Sequence, residues 1–353
     1  MNLQQLRQRI DDLDGKIVAL LNQRAALTLS IGREKLKNNQ PIYAPHREKQ
    51  VLERIKSLNK GPMTAQAFEA IYREIMSASL ALEKPLRIAY MGPEATFSHL
   101  AALKRFGSSV EYTSCGNVAE VFAKVEHGQA DYGVVPIENS IEGVVTHTMD
   151  LLVETDLKIC SQIMLEVSHH LMAKCPLNKV REIYSHPQVL GQCRQWLLQN
   201  MPGIPLIQAV STTKAAEIVV KKHNAACICS EIAAQLYGLN ILKKNIQDKA
   251  HNVTRFLVIA ETDAPATGHD RTSLVFSIKD RVGALHAMLT PFMKNKLNLT
   301  KIESRPSKKK AWEYYFFVDC EGHQSDPKVA RALAQLEKMC NFLKILGSYP
   351  VLD

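Results

Sequence analysis

"LLNQRAALTLSI", residues 20–31, places an arginine inside an apolar stripe. Reading outward, Leu3, Leu6, Ile10, Leu13, Ile17, Leu20, Leu27 and Ile31 follow in alternating steps of three and four, and the missing term is Arg24. That spacing marks one face of a long helix. A charge on such a face is costly unless it exits to water or meets an anion. The helix runs to about Lys37, and at 1.5 Å per residue it would span roughly 50 Å. Two shorter helices follow, one from about His46 to Leu58 and one after Thr64, a plausible N-cap. They cannot cover the stripe, so its spacing predicts burial against a second copy of the chain in a homodimer. Gly15 and Gly32 weaken the first helix by about 1 kcal/mol each relative to alanine, yet the stripe runs through both.

The chain has 353 residues, enough for two or three domains, and its 46% apolar content supports real cores. No stretch approaches the roughly 20 uninterrupted apolar residues of a membrane span, and "MNLQQLRQRIDDLD" lacks the apolar core of a signal peptide. A cytoplasmic protein without membrane partners is expected. The eight cysteines form no paired metal-ligand spacing; Cys227 and Cys229 alternate in "AACICS", which reads as a buried strand of reduced thiols. No metal is expected. The net charge of +9 favours anionic partners. Its cations are scattered, and the one basic run, "SKKK" at residues 307–310, has no interleaved aromatics. It reads as a solvated hairpin tip, with no nucleic-acid partner.

Three regimes follow one another. Residues 1–84 are helical by pattern. Residues 86–262 are α/β: "LRIAYMG", "ADYGVVPI", "VREIYSH", "NAACICS" and "TRFLVIAE" read as strands, mostly separated by helical segments. "TDAPATGHD", residues 262–270, reads as a linker by its Pro, Gly and Asp content. Residues 271–353 then give the order βαββαβ, a ferredoxin-like α+β unit.

Several polar residues of the helical segment fall where apolar ones are expected. Lys35, eleven residues after Arg24, lies about 20° away around the helix, hence on the same face, whereas Arg7 points about 100° off that line. Glu48 shares a face with Leu52 and Ile55, beside Arg47, and Ser79 and Glu83 continue the face of Phe68, Tyr72 and Ile75. The pattern alone leaves two readings open. Arg24 pairs internally with Glu48 or Glu83, or the surplus of cations awaits a small dicarboxylate bearing a hydroxyl.

The run "LRQRIDDLDGKIVALLNQRAALTLSIGREKLKNNQPIYAPHREKQVLERI" resembles the all-helical chorismate mutase family. The resemblance implies that Arg24 and Arg7 clamp the two carboxylates of chorismate, Arg7 from the partner subunit. Lys35 and Glu83 would flank the ether oxygen, Glu48 would hold the ring hydroxyl, and Ser79 and Arg47 would assist at the carboxylate ends. Many relatives have an acid at the position of Ala44, where here only backbone can act, and some have glutamine at Glu83. A carboxyl facing an ether oxygen donates only when protonated, so mutase activity is expected to fall as pH rises.

In residues 86–262 no P-loop, G-x-G-x-x-G, H-E-x-x-H or nucleophile elbow occurs, and no cofactor is expected. Polar clusters instead flank candidate strands: "GPEATFS", "PIENSIEG", "YSHPQ", "STTKAA" and "NVTRF". Open α/β sheets place ligand sites there. His186 reads as a structural residue or a base; His169 and His170 read as structural. β-propensity alone accounts for a threonine at position 254. Together these clusters resemble the prephenate dehydratase family, with "TRF" the most telling. The resemblance implies two α/β lobes of the periplasmic-binding-protein type, the chain crossing near Ile163 and returning near Asn252. It implies a cleft lined by Asn139, Ser140, Ser185, Gln188, Ser211, Thr212, Thr213 and Phe256, in which Thr254 protonates the leaving hydroxyl of prephenate. Arg255 would assist a carboxylate or orient Thr254. Ala95 stands where relatives often have glycine, with little effect expected.

The last unit resembles the ACT regulatory domain of these dehydratases. "GAL" (Gly283, Ala284, Leu285) and "ESRP" (Glu303, Ser304, Arg305, Pro306) are the motifs that bind phenylalanine in that family, and a helix start offers N–H groups to a carboxylate. His286 replaces a usual aliphatic residue. The resemblances imply one enzyme that turns chorismate into prephenate and prephenate into phenylpyruvate, with phenylalanine as effector, in a homodimer or higher oligomer. A non-catalytic metabolite sensor and a dehydratase whose helices only dimerise are the alternatives.

Overall fold

In a computed structural model, residues 1–38, 42–278, 281–307 and 313–351 are described. The first helix, α1 (Leu3–Lys37), is continuous, opened by a capping box between Asn2 and Gln5. α2 (Pro45–Leu58) starts with proline in its first turn, and α3 (Ala65–Glu83) starts at Thr64, whose hydroxyl accepts from Ala67 N at 3.2 Å. The predicted stripe is present but uncovered by α2 and α3: Ile10 is 56%, Leu20 62% and Leu27 67% exposed. Gly32 has a role its helix propensity hides. A Cβ there would lie 2.9 Å from Glu83 Cγ and 3.0 Å from its Cβ, so glycine lets α1 and α3 approach. Residues 1–87 form one compact unit together with 106–111, where Ser108 N donates to Glu74 and Ser109 N to Ser77 Oγ.

The second unit holds Ile88–Arg105 and Tyr112–Asp353. Its first lobe is built from β1 (Arg87–Met91), α4 (Phe97–Phe106), β2 (Glu111–Cys115), α5 (Val118–Glu126), β3 (Tyr132–Asn139), β4 (Gly143–Val144), α6 (Thr146–Glu154) and β5 (Lys158–Glu166). The second lobe holds β6 (His170–Ala173), β7 (Glu182–Ser185), α7 (Pro187–Gln192), α8 (Arg194–Asn200), β8 (Leu206–Gln208), α9 (Thr212–Val220), β9 (Ala225–Cys229), α10 (Glu231–Tyr237) and β10 (Asn240–Lys243). The chain returns as β11 (Val253–Ala260), giving sheet orders β2-β1-β3-β11-β5 and β10-β6-β9-β7-β8. This is the expected two-lobed α/β arrangement. The outward crossing lies at residues 167–169, after β5, rather than near Ile163, because β5 continues its pairing with β11 to Glu166. Cys227 and Cys229 are buried in β9 as expected.

The C-terminal elements are β12 (Asp270–Ser277), α11 (Ala284–Lys294), β13 (Leu299–Pro306), β14 (Tyr314–Glu321), α12 (Pro327–Glu337) and β15 (Phe342–Pro350), in sheet order β13-β14-β12-β15. Residues 308–310 of the basic run lie outside the described residues. Both faces of its central strands β12 and β14 are covered. Leu274, Phe276 and Val318 pack on Met288, Phe292 and Leu333 of the helices. Val275, Phe317, Leu346 and Tyr349 share a core with Val121, Leu152, Ile159 and Leu257 of the first lobe. Gly347 makes that possible: a Cβ there would collide with Ile159 O and lie 2.7 Å from its N. The expected linker is accordingly packed, with Ala264 buried and its carbonyl 3.0 Å from His323 Nε2. Among the described residues no helix is long and apolar enough to cross a membrane.

Candidate functional sites

On the helical unit, α1 and α3 bring four of the predicted residues together. Arg24 Nη1 donates to Ser79 Oγ at 2.5 Å, and Ser79 donates to Ile75 O at 2.7 Å. Lys35 Nζ lies 3.1 Å from Glu83 Oε2 and donates to Ile42 O at 2.7 Å. Two turns of α1 thus carry two fixed cations whose partners sit one turn apart on α3, a spacing that suits a ligand with separated anionic groups. Glu48 lies half-buried in the first turn of α2. The carbonyl of Ala44 accepts from the N–H groups of Arg47 and Glu48, at 3.0 and 3.2 Å. Arg47 is exposed and reaches Gln50, and Arg7 is exposed on α1.

In the second unit, Thr254 stands opposite Asn139 in the β11–β3 register and is 9% exposed. Its Oγ1 accepts from Asn139 Nδ2 at 2.8 Å, leaving its own O–H to donate. The amide orientation is set from behind, since Asn139 Oδ1 accepts from the N–H groups of Ile141 and Glu142 at 2.9 and 3.0 Å. Asn139 Nδ2 also donates to Asn252 Oδ1 at 2.7 Å. Asn252 Nδ2 donates to Gln192 Oε1 at 3.2 Å, and Gln192 Nε2 to Glu142 Oε1 at 2.9 Å. The chain of amides runs along the wall of a cavity of about 870 Å³ between the lobes, lined by Glu142, Gln188, Gln192, Gln195, Lys249 and Asn252 among others. Gln192 and Asn252 escape the sequence reading. The signal was the i, i+4 spacing of Gln188 and Gln192 just past "YSHPQ", which puts both on one helix face.

Other predicted cleft residues serve the framework. Ser140 ties β3 to β11, donating to His251 O at 3.1 Å and accepting from Val253 N at 2.9 Å. Ser185 is fully buried and donates to Ile228 O at 2.7 Å. Ser211 caps α9, Thr212 opens it, and Thr213 donates to Glu94 O across the lobes at 3.1 Å. Phe256 is buried, and His186 caps α7. Ala95 has φ +62°, a left-handed backbone in which glycine is less strained, and its side chain is buried against the second lobe. Its methyl group packs where glycine would leave a gap.

Two buried histidines, His169 and His170, and the half-buried His99 frame this region as neutral acceptors or partners. His99 Nδ1 accepts from Ala95 N, His170 Nδ1 from Asn245 N, and His169 Nε2 lies 2.7 Å from Gln192 Oε1. Burial is the leading cause that lowers all three below the usual imidazole value of 6.5; Glu94 opposes it at His99 and Glu231 at His170, while the Gln192 bond opposes it at His169. With folded values below 6.5, the unfolded chain binds more protons in that window, so stability is lost as pH falls through it. Urea unfolding followed by fluorescence is expected to give a lower midpoint at about pH 5.5 than at about pH 7.5, a gap that narrows in His169→Gln. Equal midpoints would remove this account.

Arg255 does not enter the cleft. It is turned to the opposite face of β11, where Nη1 lies 2.7 Å from Asp319 Oδ2 and Nη2 donates to Tyr349 OH at 2.7 Å. A guanidinium so held is not placed for a substrate carboxylate. The C-terminal motif divides in the same way. Glu303 and Arg305 face the first lobe, Arg305 pairing with Asp150 at 2.9 Å, while Ser304 and Pro306 are exposed on the other side of β13. Gly283, at φ +77°, precedes the uncapped start of α11; Ala284 is buried, and Leu285 and His286 are exposed.

Residues 6–84 match the family model for chorismate mutase type II, residues 88–264 that for prephenate dehydratase, and residues 272–338 that for the ACT domain. Over 353 residues the chain is 50% identical to the bifunctional chorismate mutase/prephenate dehydratase of Aquifex aeolicus (strain VF5), covering 99% of this chain and 98% of that one. It is similar to the crystal structure of prephenate dehydratase in complex with L-Phe from Arthrobacter aurescens: TM-score 0.70, 32% identity, 75% of this chain and 90% of that one. It is also similar to GqqA, described as a novel type of quorum quenching acylase, at TM-score 0.70 and 30% identity over 75% of this chain and 98% of that one. One fold therefore accompanies two described reactions, and the side chains of the cleft must decide the chemistry.

Proposed function

Since this chain belongs to the bifunctional chorismate mutase/prephenate dehydratase family, we propose that residues 1–84, 86–262 and 271–353 divide mutase, dehydratase and regulatory work among them. The enzyme converts chorismate to prephenate and prephenate to phenylpyruvate. The first step is a pericyclic shift that needs no nucleophile. Its catalysis lies in holding the compact conformer of chorismate and stabilising charge on the breaking ether oxygen. Arg24, with Ser79, takes one carboxylate; Lys35 and Glu83 take the ether oxygen; Glu48 takes the ring hydroxyl; Arg47 and the backbone of Ala44 border the site. The exposed stripe of α1 is where a second copy packs, and Arg7 of that copy completes the pocket. The enzyme is then a cytoplasmic homodimer or higher oligomer.

Dehydration with decarboxylation is driven by aromatisation, so the protein has only to orient prephenate and hydrogen-bond the departing hydroxyl. Thr254, with its free O–H, does so from the Asn139 rung, while Gln188, Gln192 and Asn252 line the approach. The single observation that carries this reading is the Asn139–Thr254–Asn252 cluster, in which a hydroxyl donor is tied through Asn139 to Asn252 on the cavity wall. Phenylalanine acts at the start of α11, with Gly283, Ala284 and Leu285 there and the exposed Ser304 and Pro306 of β13.

Incubating the full chain with chorismate, while following prephenate and phenylpyruvate with and without phenylalanine, tests the whole reading. Both products should form in sequence, and phenylalanine should slow the second step and raise the melting temperature. A chain that binds these metabolites without turnover would be a sensor. Turnover of added prephenate without turnover of chorismate would leave a dehydratase with dimerising helices. Glu83→Gln keeps a hydrogen-bond donor for the ether oxygen and is expected to retain mutase turnover in this assay, whereas Glu83→Ala is expected to lose it; equal turnover in the two variants would sink that role for Glu83.

A further inference from the structure

Thr254 and Arg255 are neighbours in the chain that serve opposite faces of β11. In the β11–β3 register they form consecutive rungs: Thr254 opposite Asn139, on the side of the amides that reach the cavity wall, and Arg255 opposite Glu138, facing the C-terminal sheet. The regular pairing with β3 breaks immediately afterwards, between Arg255 and Phe256. β5 keeps its pairing with β11 unbroken from Val253 to Val258, so the irregularity is confined to the β3 side, where Asn139 and Glu138 stand and where side-chain contacts add to the locally disrupted ladder.

Those contacts come from all four strands of the C-terminal sheet. Asp319 of β14 takes Arg255 Nη1 at 2.7 Å, and Tyr349 of β15 accepts from Nη2 at 2.7 Å. Ser273 of β12 closes the ring, donating to Asp319 Oδ1 at 2.5 Å and lying 2.6 Å from Tyr349 OH. Lys301 of β13 pairs with Glu138 Oε2, while Glu138 Oε1 lies 3.2 Å from Arg255 Nη1. Two cations and two carboxylates are thus closed on one another, with the Arg255 side chain only 6% exposed. Burial opposes the charge on Arg255, but Tyr349, Asp319 and Glu138 outweigh it and raise its pKa. Burial and Asp319 push Tyr349 up to about 12, keeping it a neutral phenol. A planar guanidinium fork suits this arrangement and an ammonium does not.

We propose that Arg255 is a positioning residue of the dehydratase reaction, through which the ACT sheet sets the geometry of the Thr254–Asn139 pair, and that it never touches substrate. The inference rests on the reading of the cleft as the dehydratase site. It also gives the effector a physical route. β13 presents Ser304 to the outer side and Lys301 and Arg305 to the catalytic lobe, so a ligand that shifts β13 pulls on Glu138, one residue from Asn139. The shared core and the Gly347 contact pack the sheet directly on the lobe at this seam.

A carboxylate clamp and a positioning role separate cleanly. In the full-length enzyme, Asp319→Asn and Lys301→Met alter residues of the ACT sheet outside the cleft. Each should lower dehydratase kcat about tenfold, with KM for prephenate within about twofold, and weaken inhibition by phenylalanine. The mutase rate should stay at the wild-type level, reporting that the chain is folded. Arg255→Lys, which keeps the charge and loses the fork, should behave like Asp319→Asn. Lys301 is the less buried position, so its variant decides if Asp319→Asn does not fold. Wild-type kcat and phenylalanine response in both ACT variants would overturn the inference, as would Arg255→Lys raising KM with kcat retained. If the wild-type protein itself shows no dehydratase turnover, the cleft reading falls together with this one; normal wild-type turnover with indifferent variants removes this one alone.

Discussion

Thr254→Ala is expected to lower dehydratase turnover by about 10²–10⁴-fold, the range for removing a positioned proton donor, while mutase turnover stays at its wild-type rate. The substitution removes the hydroxyl and a methyl group from a strand residue that is 9% exposed and leaves the backbone pairing with β3 and β5 in place. Asn139 keeps Asn252 as an acceptor, so no buried amide is stranded. The folding cost is correspondingly small, and the loss falls on kcat. Thr254→Ser restores a hydroxyl at the same Cβ and should recover part of the rate, its freer rotamer accounting for the remainder. Steady-state assays on prephenate, with chorismate turnover as the internal control, read both effects. Dehydratase turnover retained in the alanine variant would refute the assignment of the donor. Loss of both activities together would point to a folding defect instead.

Why the sequence placed Thr254 and Arg255 on a strand but not what surrounds them has a physical basis. A strand's period of two puts Thr254 and Arg255 on opposite faces, and that much the "TRF" order states. It does not state what covers the second face. Here the cover is Asp319, 64 residues further on, and Tyr349, 94 residues further on. "TDAPATGHD" reads as a linker by composition, which does not state that the sheet beyond it shares a core with the first lobe. Serines show the same limit. Ser140 and Ser185 occupy the strand ends where ligand sites gather, and both spend their hydroxyls on neighbouring backbone.

In the helical segment the pattern carried further, because a helix displays its faces with a fixed period. The three helix boundaries, the stripe and the common face of Arg24 and Lys35 all follow from spacing. Gly32, like Arg255, shows what spacing leaves out. Its propensity cost is local and visible, but its role as the contact with Glu83 depends on where α3 runs. That contact fixes the Lys35–Glu83 pair beside it, so the glycine belongs to the site as much as to the helix.

Arg24→Leu is expected to cost about 10²–10³-fold in mutase turnover, the scale of losing one fixed electrostatic contact in a water-poor site, with no fall in melting temperature. The substitution supplies the missing apolar term of the stripe, so helix and self-association should be kept or strengthened. Arg24 is held by a neutral hydroxyl, Ser79, which retains its bond to Ile75 O, while Glu83 is engaged by Lys35. Removing the arginine therefore strands no carboxylate among these groups. Internal ion pairing predicts the opposite outcome: a leucine there would leave a buried acid unpaired, at about 3–5 kcal/mol, and the melting temperature would drop. Dehydratase turnover in the same sample reports the integrity of the rest of the chain. Full mutase activity in Arg24→Leu would show that the charge waits for no substrate, and a large thermal destabilisation would return Arg24 to the role of a structural ion-pair partner.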